Sequence, residues 1–206
     1  MLFKGDEIPI NKEEAINYYK QSLAKGNSNA ILAFGKILYE GKDLPEDKKS
    51  AAKLFEFSSK KGNAEAMFLY AEMLYKGIEI PINKEEAMNY YKKSADKGYS
   101  DAMLEYANLK YEDRDIDEAY KYYKLCIDNG NSDVILLLAD LISSQKDPYQ
   151  NIGLNHPYLK LAADKGHIKS MYLYGRLLTF DNIIPQNLEE AFKYFKMSAD
   201  KGYEIA

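Results

Sequence analysis

The sequence predicts an all-α protein, an α/α superhelical solenoid of antiparallel helix pairs. The first observation behind this prediction is internal repetition. Residues 3–22 match residues 75–94 at 16 of 20 positions, 72 residues apart, and a weaker copy lies between them, so the period is 36. A fixed period of roughly 20–50 residues is typical of a solenoid, in which each unit buries its apolar face against its neighbours.

The second observation is a glycine that closes each unit, with spacings of 36, 36, 32, 36 and 36 residues. We therefore expect one solenoid domain over residues 1–206, with a partial unit at 1–29 and full units at 30–65, 66–101, 102–133, 134–169 and 170–205. The closing glycines are Gly26, Gly62, Gly98, Gly130, Gly166 and Gly202.

The third observation is a column of Asn and Asp residues that predicts the start of the second helix of each unit, helix B. Short polar side chains accept hydrogen bonds from the first-turn N–H groups of a helix, and in four units a glutamate follows three residues later. In the unit that begins at 66, helix B is expected from about Lys84 to Lys97, before the left-handed cap at Gly98. The column is Asn11, Asp47, Asn83, Asp115, Asn151 and Asn187.

The first helix of each unit, helix A, is expected from about Glu65 to Lys76 in the same unit, with apolar residues at helical spacing. A proline loop such as Gly77 to Pro81 separates it from helix B. One column of helix A holds only small residues, as expected where a neighbouring helix approaches closely. That column is Gly35, Ala71, Ala107, Ala139 and Gly175.

Two units depart from this pattern. The unit at 102–133 has lost the loop glycine and proline, which predicts a tight connection between its two helices. In the next unit, Pro157 lies where helix B should already have begun. We expect that helix to start late, with Asn155 as its cap and Pro157 in its first turn, after a longer irregular loop at 145–156.

The recurring motifs Leu-Tyr-x-Gly, Asn-Lys-Glu-Glu-Ala, Tyr-Tyr-Lys and Ala-Asp-Lys-Gly resemble the Sel1-like repeat, a relative of the tetratricopeptide repeat. The resemblance covers essentially the whole chain. It implies a right-handed superhelix of helix pairs and a role as an adaptor that holds other proteins. It implies no catalytic motif.

Composition argues against several classes of function. The formal net charge is -4 and the two signs are interleaved, whereas nucleic acids and anionic membranes require clustered Lys and Arg. Cys126 is the only cysteine, so no intramolecular disulfide can form, which favours a reducing compartment; we expect the cytoplasm. The sequence has no run of 18 apolar residues and no signal peptide at its N-terminus.

Candidate catalytic and metal-binding residues are few. His156 and His167 are the only histidines, and a helix between them would hold them roughly 16 Å apart, so we interpret them as surface loop residues that share no metal. Cys126 and the tandem tyrosines such as Tyr90 and Tyr91 recur in register with the repeat, which predicts packing. We therefore expect no enzymatic activity, no cofactor and no metal.

One surface of helix A is a candidate binding site. The apolar residues that form the core lie on one face of helix A, which predicts that four other positions per unit point away from the core. Two of these outward positions are nevertheless mostly apolar, and a third is polar or charged. An apolar band with a charged margin on the concave side would suit a peptide or partner helix. The alternative is that helix A packs on both flanks, so that these positions are interior. The candidate residues are Phe68, Leu69, Glu72, Lys76, Leu104, Glu105, Asn108, Leu136, Leu137, Asp140, Tyr172, Leu173 and Arg176.

The sequence therefore predicts a non-catalytic scaffold or adaptor that binds a partner protein or peptide, with no nucleic acid and no membrane as partner. The alternative is a regulatory or targeting segment of a larger enzyme such as a protein kinase. Met1 aligns with the end of a helix A and Ala206 with the start of another. Terminal repeats of solenoids normally carry polar caps. We therefore expect a segment of a longer repeat protein or an incomplete gene sequence. The alternative is that Met1 is a true start and that the uncapped end is tolerated or pairs with another copy in end-to-end self-association.

Overall fold

The computed structural model describes residues 12–144, 152–179 and 184–204, and these residues form helices and no strand. The all-α prediction is confirmed. The A helices are α2 (Ser28–Glu40), α4 (Ala64–Lys76), α6 (Ser100–Glu112), α8 (Ile135–Ser144) and α10 (Ile168–Leu177). The B helices are α1 (Lys12–Ala24), α3 (Lys48–Lys60), α5 (Lys84–Asp96), α7 (Ile116–Asp128), α9 (Ile152–Asp164) and α11 (Leu188–Asp200).

The chain divides into two compact units, Met1–Tyr106 and Ala107–Ala206, called unit 1 and unit 2 below. In unit 1, α2 packs against α3, α3 against α4, and α4 against α5. In unit 2, each helix from α7 to α11 packs against the next one along the chain. Successive helices therefore form the adjacent pairs of an α/α solenoid.

The predicted helix caps are confirmed wherever the structure describes them. The Asn83 side chain accepts a hydrogen bond from the Glu86 N–H at 3.1 Å, and its own amide donates to the Glu86 carboxylate at 2.9 Å. The side chains of Asp47, Asp115 and Asn187 likewise accept from the N–H three residues later, and the Asn187 amide also donates to Glu190. The two other members of the column, Asn11 and Asn151, lie outside the described residues.

The closing glycines are also confirmed in their role. All six have positive φ, between 68° and 98°, a conformation that residues with a Cβ adopt at a cost. Each glycine therefore ends a helix B and turns the chain toward the next helix A.

The small-residue column lies where helix A packs tightly against helix B of the same pair. A Cβ atom added to Gly35 would lie 2.7 Å from the Phe55 ring, and one added to Gly175 would lie 3.0 Å from the Phe195 ring. Ala71, Ala107 and Ala139 in the same column are fully buried. The predicted close approach is thus confirmed.

The shortened repeat at residues 102–133 has the predicted tight connection between its two helices. Helix α6 ends at Glu112 and α7 begins at Ile116, and the turn between them places Arg114 at φ 64°. The backbone N–H of Asp115 donates to the Lys110 carbonyl at 2.9 Å, which closes the turn.

The prediction of a late start for the next helix B was wrong. Helix α9 begins at Ile152, so Asn155 lies inside it and is no cap, and Pro157 is in its interior. Asn155 occupies the position at which the other B helices bury an alanine; it is 3% exposed and accepts a hydrogen bond from the Tyr120 hydroxyl at 2.5 Å. The packing of this helix in the repeat thus outweighs the tendency of proline to interrupt a helix. Residues 145–151 of the expected loop lie outside the described residues.

Candidate functional site

In unit 1 the predicted helix-A residues are largely engaged in packing. The half-buried Phe68 ring contacts the rings of Tyr91 and Tyr99, at centroid distances of 5.8 and 5.3 Å. Leu69, Leu104 and Glu105 are half-buried as well.

Glu72 is held between two helices. Its Oε1 accepts a hydrogen bond of 2.6 Å from the Tyr91 hydroxyl, and its other oxygen forms an ion pair with Lys76. Burial and the Glu72 carboxylate both raise the pKa of Tyr91. Glu72 therefore supports the helix pair as well as forming part of the predicted charged margin.

In unit 2 the same register position holds Asn108, which accepts a hydrogen bond of 2.8 Å from the Tyr123 hydroxyl. Leu136 and Leu137 on α8 are 41% and 44% exposed, which is unusual for large apolar side chains in this chain. Asp140, one turn further along α8, is exposed and lies 2.9 Å from the His167 ring.

The remaining predicted residues lie on α10. Tyr172 is half-buried between the rings of Phe195 and Tyr203, and Arg176 is half-buried. Leu173 was placed on the accessible band, but it is only 3% exposed. It is buried because α10 packs against α8, α9 and α11. Leu173 therefore contributes nothing to an accessible surface.

A cavity of about 470 Å³ lies between α2 and α4 in unit 1. Leu32 forms part of its wall, and the Lys36–Glu65 ion pair of 2.7 Å joins the two helices across it. The Asn63 amide donates to the Asn29 side chain at 2.8 Å in the same wall. Tyr99, the residue just before α6, also lines it.

A cavity of about 490 Å³ occupies the equivalent place in unit 2, between α8 and α10. Its wall contains Leu136, His167 and Tyr203, each 104 residues after its counterpart in the first cavity, Leu32, Asn63 and Tyr99. Lys165 and Lys169 lie at its edge. The Lys169 amine donates to the neutral Ser143 carbonyl at 2.6 Å, so this hydrogen bond brings no negative charge to the lysine.

The sequence pattern indicated Leu136 but not the two tyrosines that line the cavities, Tyr99 and Tyr203. Tyr99 and Tyr203 directly follow the closing glycines Gly98 and Gly202, so the sequence contained the signal in an adjacent column. In other repeat units this column holds asparagine or histidine. Asn27, Asn63 and His167 cap the next helix A with their side chains, whereas Asn131 makes no side-chain cap hydrogen bond. The rings of Tyr99 and Tyr203 instead pack on Phe68 of α4 and Tyr172 of α10, the A helices of the preceding pairs.

Both histidines are half-buried and not plain surface residues, although His167 lies between helices as predicted. His167 caps α10: its Nδ1 accepts from the Ser170 N–H at 3.2 Å, and its Nε2 faces Asp140. His156 lies inside α9 and is half-buried. Among residues 12–144, 152–179 and 184–204, no group of three or more His, Cys, Asp or Glu side chains is placed to hold a metal ion.

Cys126 is fully buried, as predicted, and burial raises the pKa of its thiol to about 11. It is therefore protonated at neutral pH, which removes the thiolate needed for nucleophilic chemistry. The tandem tyrosines are packed in the core at Tyr91, Tyr122 and Tyr123, whereas Tyr18 on α1 is 54% exposed. Within the described ranges, no helix combines the length and the apolar character needed to cross a bilayer.

Comparison with solved structures shows the same fold. A Sel1 repeat protein from Oxalobacter formigenes superposes with a TM-score of 0.66 and 21% sequence identity, covering 94% of this chain and 81% of that one. The protective antigen c5321 of uropathogenic Escherichia coli, which has an SLR fold, gives a TM-score of 0.60 and 20% identity over 95% of this chain. This chain spans 43% of the length of that antigen. No curated protein matches the sequence.

The family model described as "Sel1 repeat" matches five segments, at residues 1–27, 28–63, 64–99, 100–131 and 168–203. The matched segments leave out residues 132–167, which contain the proline-bearing helix α9. They nevertheless include most of the chain, and each matched segment ends one residue after a closing glycine. This chain therefore belongs to the Sel1 repeat family.

Proposed function

We propose that this chain is a non-catalytic interaction scaffold that binds a peptide segment of a partner protein on the exposed faces of its A helices. Sel1 repeat proteins generally serve as protein-interaction scaffolds, and the fold is typically non-catalytic. The observation that carries the proposal is the cavity between α8 and α10, beside which Leu136 and Leu137 leave more than two-fifths of their surfaces exposed.

The chemistry of this cavity suits a bulky aliphatic side chain. Leu136, Ile168 and the Tyr203 ring supply apolar surface, and an exposed apolar surface of this kind gains free energy when another apolar group covers it. Lys169 carries a positive charge at the edge, which favours an acidic residue next to the aliphatic one. The preferred ligand is thus an extended or helical peptide with an aliphatic anchor and an acidic neighbour.

The test is selection of peptides from a random displayed library on the immobilised chain, followed by measurement of their affinity in solution. Leu136→Lys places a charge in the apolar wall and should weaken binding of the selected peptides by about tenfold or more. Leu136 is exposed, so circular dichroism should show unchanged helix content. Phe192→Ser, which removes an exposed apolar side chain far along the sequence on α11, is the matched control and should bind normally.

Two results would refute the proposal. One is that selection on the wild-type chain enriches no peptide relative to selection on the Leu136→Lys variant. The other is equal affinity of the enriched peptides for the wild type and that variant.

A further inference from the structure

The cavity between α2 and α4 in unit 1 has the same register as the unit 2 cavity but the opposite arrangement of charges. On the first helix of each cavity, Lys36 of α2 stands where α8 has Asp140. On the second helix, Glu65 of α4 stands where α10 has Lys169. Each of these positions lies 104 residues before its counterpart, like the other equivalent wall residues. The two cavities therefore share a framework and differ in the charges around them.

The two charges at the unit 1 cavity neutralise each other. The Lys36 amine lies 2.7 Å from Glu65 Oε1, and both side chains are half-buried. A charged ligand group reaches either of them only by displacing the partner, and this exchange gains little because one ion pair replaces another. In unit 2, by contrast, Lys169 donates to the neutral Ser143 carbonyl and keeps its charge for a ligand.

The other polar groups in the wall of the unit 1 cavity are neutral. The Asn63 amide donates to Asn29 Oδ1 at 2.8 Å, and the Asn63 oxygen accepts from the Ala66 N–H at 2.9 Å. The Tyr99 hydroxyl is protonated at neutral pH, because burial is the main cause that raises its pKa to about 12. The wall as a whole therefore offers no net charge to a ligand.

The remaining wall residues of the unit 1 cavity are the apolar Leu32, Ala33 and Ala64. The volume of about 470 Å³ lies in the range of about 300–1,000 Å³ that is usual for ligand pockets. An apolar side chain that covers this wall gains free energy because apolar surface is removed from water. A charged side chain would lose its hydration without meeting an unpaired opposite charge, so the cavity disfavours it.

We propose that the unit 1 cavity is a second peptide-binding site, which takes an uncharged apolar side chain and gives no preference to an acidic neighbour. The Lys36–Glu65 ion pair sets this preference, whereas Lys169 sets the acidic preference of the unit 2 cavity. One chain then holds two peptide sites of different specificity. This inference rests on the peptide-binding role proposed above, but it concerns a different cavity and has its own test.

The first test is a peptide selection on the Leu136→Lys variant, in which the unit 2 cavity is disabled. The enriched peptides should have an apolar anchor and no enrichment of acidic residues beside it. Ala33→Lys, added to this variant, places a charge in the unit 1 wall and should weaken binding of these peptides by about tenfold or more. Leu137 at the equivalent position of α8 is 44% exposed, so position 33 has room for a long side chain and helix content should stay unchanged. Asn89→Lys adds the same charge at an exposed position of α5 and is the matched control, with binding expected to equal the parent variant.

The second test concerns the ion pair. Glu65→Gln keeps the length of the side chain but leaves the Lys36 charge without its carboxylate partner. Selection on a chain with both Leu136→Lys and Glu65→Gln should therefore enrich acidic residues beside the anchor. Glu56→Gln removes the carboxylate of the Lys60 ion pair on α3 and is the control, with the same peptides expected as for the parent variant.

Three results would overturn the inference. The first is that no peptide is enriched on the Leu136→Lys variant, and the second is that the added Ala33→Lys leaves the affinity of the enriched peptides unchanged. The third, an unchanged set of peptides after Glu65→Gln, would show that the ion pair does not set the preference. The function proposed above is tested separately by comparing the wild type with the Leu136→Lys variant, so its failure is a distinct result.

Discussion

The Tyr91 hydroxyl donates a 2.6 Å hydrogen bond to Glu72, and this bond joins α5 to α4. The equivalent pair, Tyr123 and Asn108, makes the same kind of hydrogen bond between α7 and α6. The other three pairs at this register position have no hydroxyl on helix B; they are Lys36 with Phe55, Asp140 with Leu159, and Arg176 with Phe195. The repeat thus keeps the hydrogen bond in two of its five helix pairs.

This pairing gives a prediction for a double-mutant cycle. Glu72→Leu should lower the free energy of unfolding by about 1–3 kcal/mol, because it leaves the Tyr91 hydroxyl buried without an acceptor. Tyr91→Phe should cost less, about 0.5–1.5 kcal/mol, because the Glu72 carboxylate keeps Lys76 as a partner. The double variant should be more stable than the sum of the single losses predicts, as measured by urea unfolding.

Additive losses in this cycle would show that the two side chains do not interact. If the cycle shows that the two side chains interact, a charge reversal at Glu72 would disturb the packing of α4 against α5 as well as the predicted binding surface. Leu136 on unit 2 is the cleaner position for testing partner binding.

The buried tyrosines predict a loss of stability at high pH. Burial is the main cause that raises the pKa of Tyr123 from its ordinary value of 10.0 to about 12. Above pH 10 the unfolded chain releases this proton and the folded chain retains it, so the free energy of unfolding falls as the pH rises from about 10 toward 12. Tyr123→Phe should make this fall less steep in urea titrations at successive pH values.

The matched control for that experiment is Tyr18→Phe. Tyr18 is 54% exposed, so removal of its hydroxyl should leave the stability at neutral pH close to that of the wild type. An identical slope for Tyr123→Phe and the wild type would contradict the assignment.

Local chemistry made the helix termini and the close approaches predictable. Asn83 and Gly98 could be interpreted correctly because capping and positive φ depend on a few adjacent residues. Asn155 and Leu173 were misplaced because their environment is set by helices that are distant in sequence: Tyr120 supplies the partner for one, and the packing around α10 buries the other. The tyrosine at each cavity was missed because the residue after the closing glycine has two roles. In some repeat units its side chain caps the next helix, and in others it is a tyrosine whose ring packs on a helix A.

The small-residue column predicts a steric clash at Gly35 that a smaller side chain at Phe55 can relieve. Gly35→Ala places a Cβ atom 2.7 Å from the Phe55 ring, so the ring or the helix must shift, at a cost of about 1–3 kcal/mol. Phe55→Leu alone should also be destabilising because it leaves a cavity. The double variant should recover part of the loss, since Ala139 and Leu159 occupy the same two register positions in unit 2 and are both fully buried. Thermal unfolding of the four chains measures this coupling, and strictly additive losses would contradict it.

His167 gives a prediction that separates its capping role from its contact with Asp140. His167→Asn should retain most of the stability of the wild type, because Asn63 occupies the equivalent position and its side chain accepts from the Ala66 N–H at 2.9 Å. His167→Ala should lose about 1 kcal/mol, because the first turn of α10 then lacks a side-chain acceptor. Asp140→Asn leaves the cap in place and tests the contact to Nε2 alone. If the asparagine and alanine variants at position 167 unfold at the same urea concentration, the cap contributes nothing and the stability of α10 comes from its packing against α9 and α11.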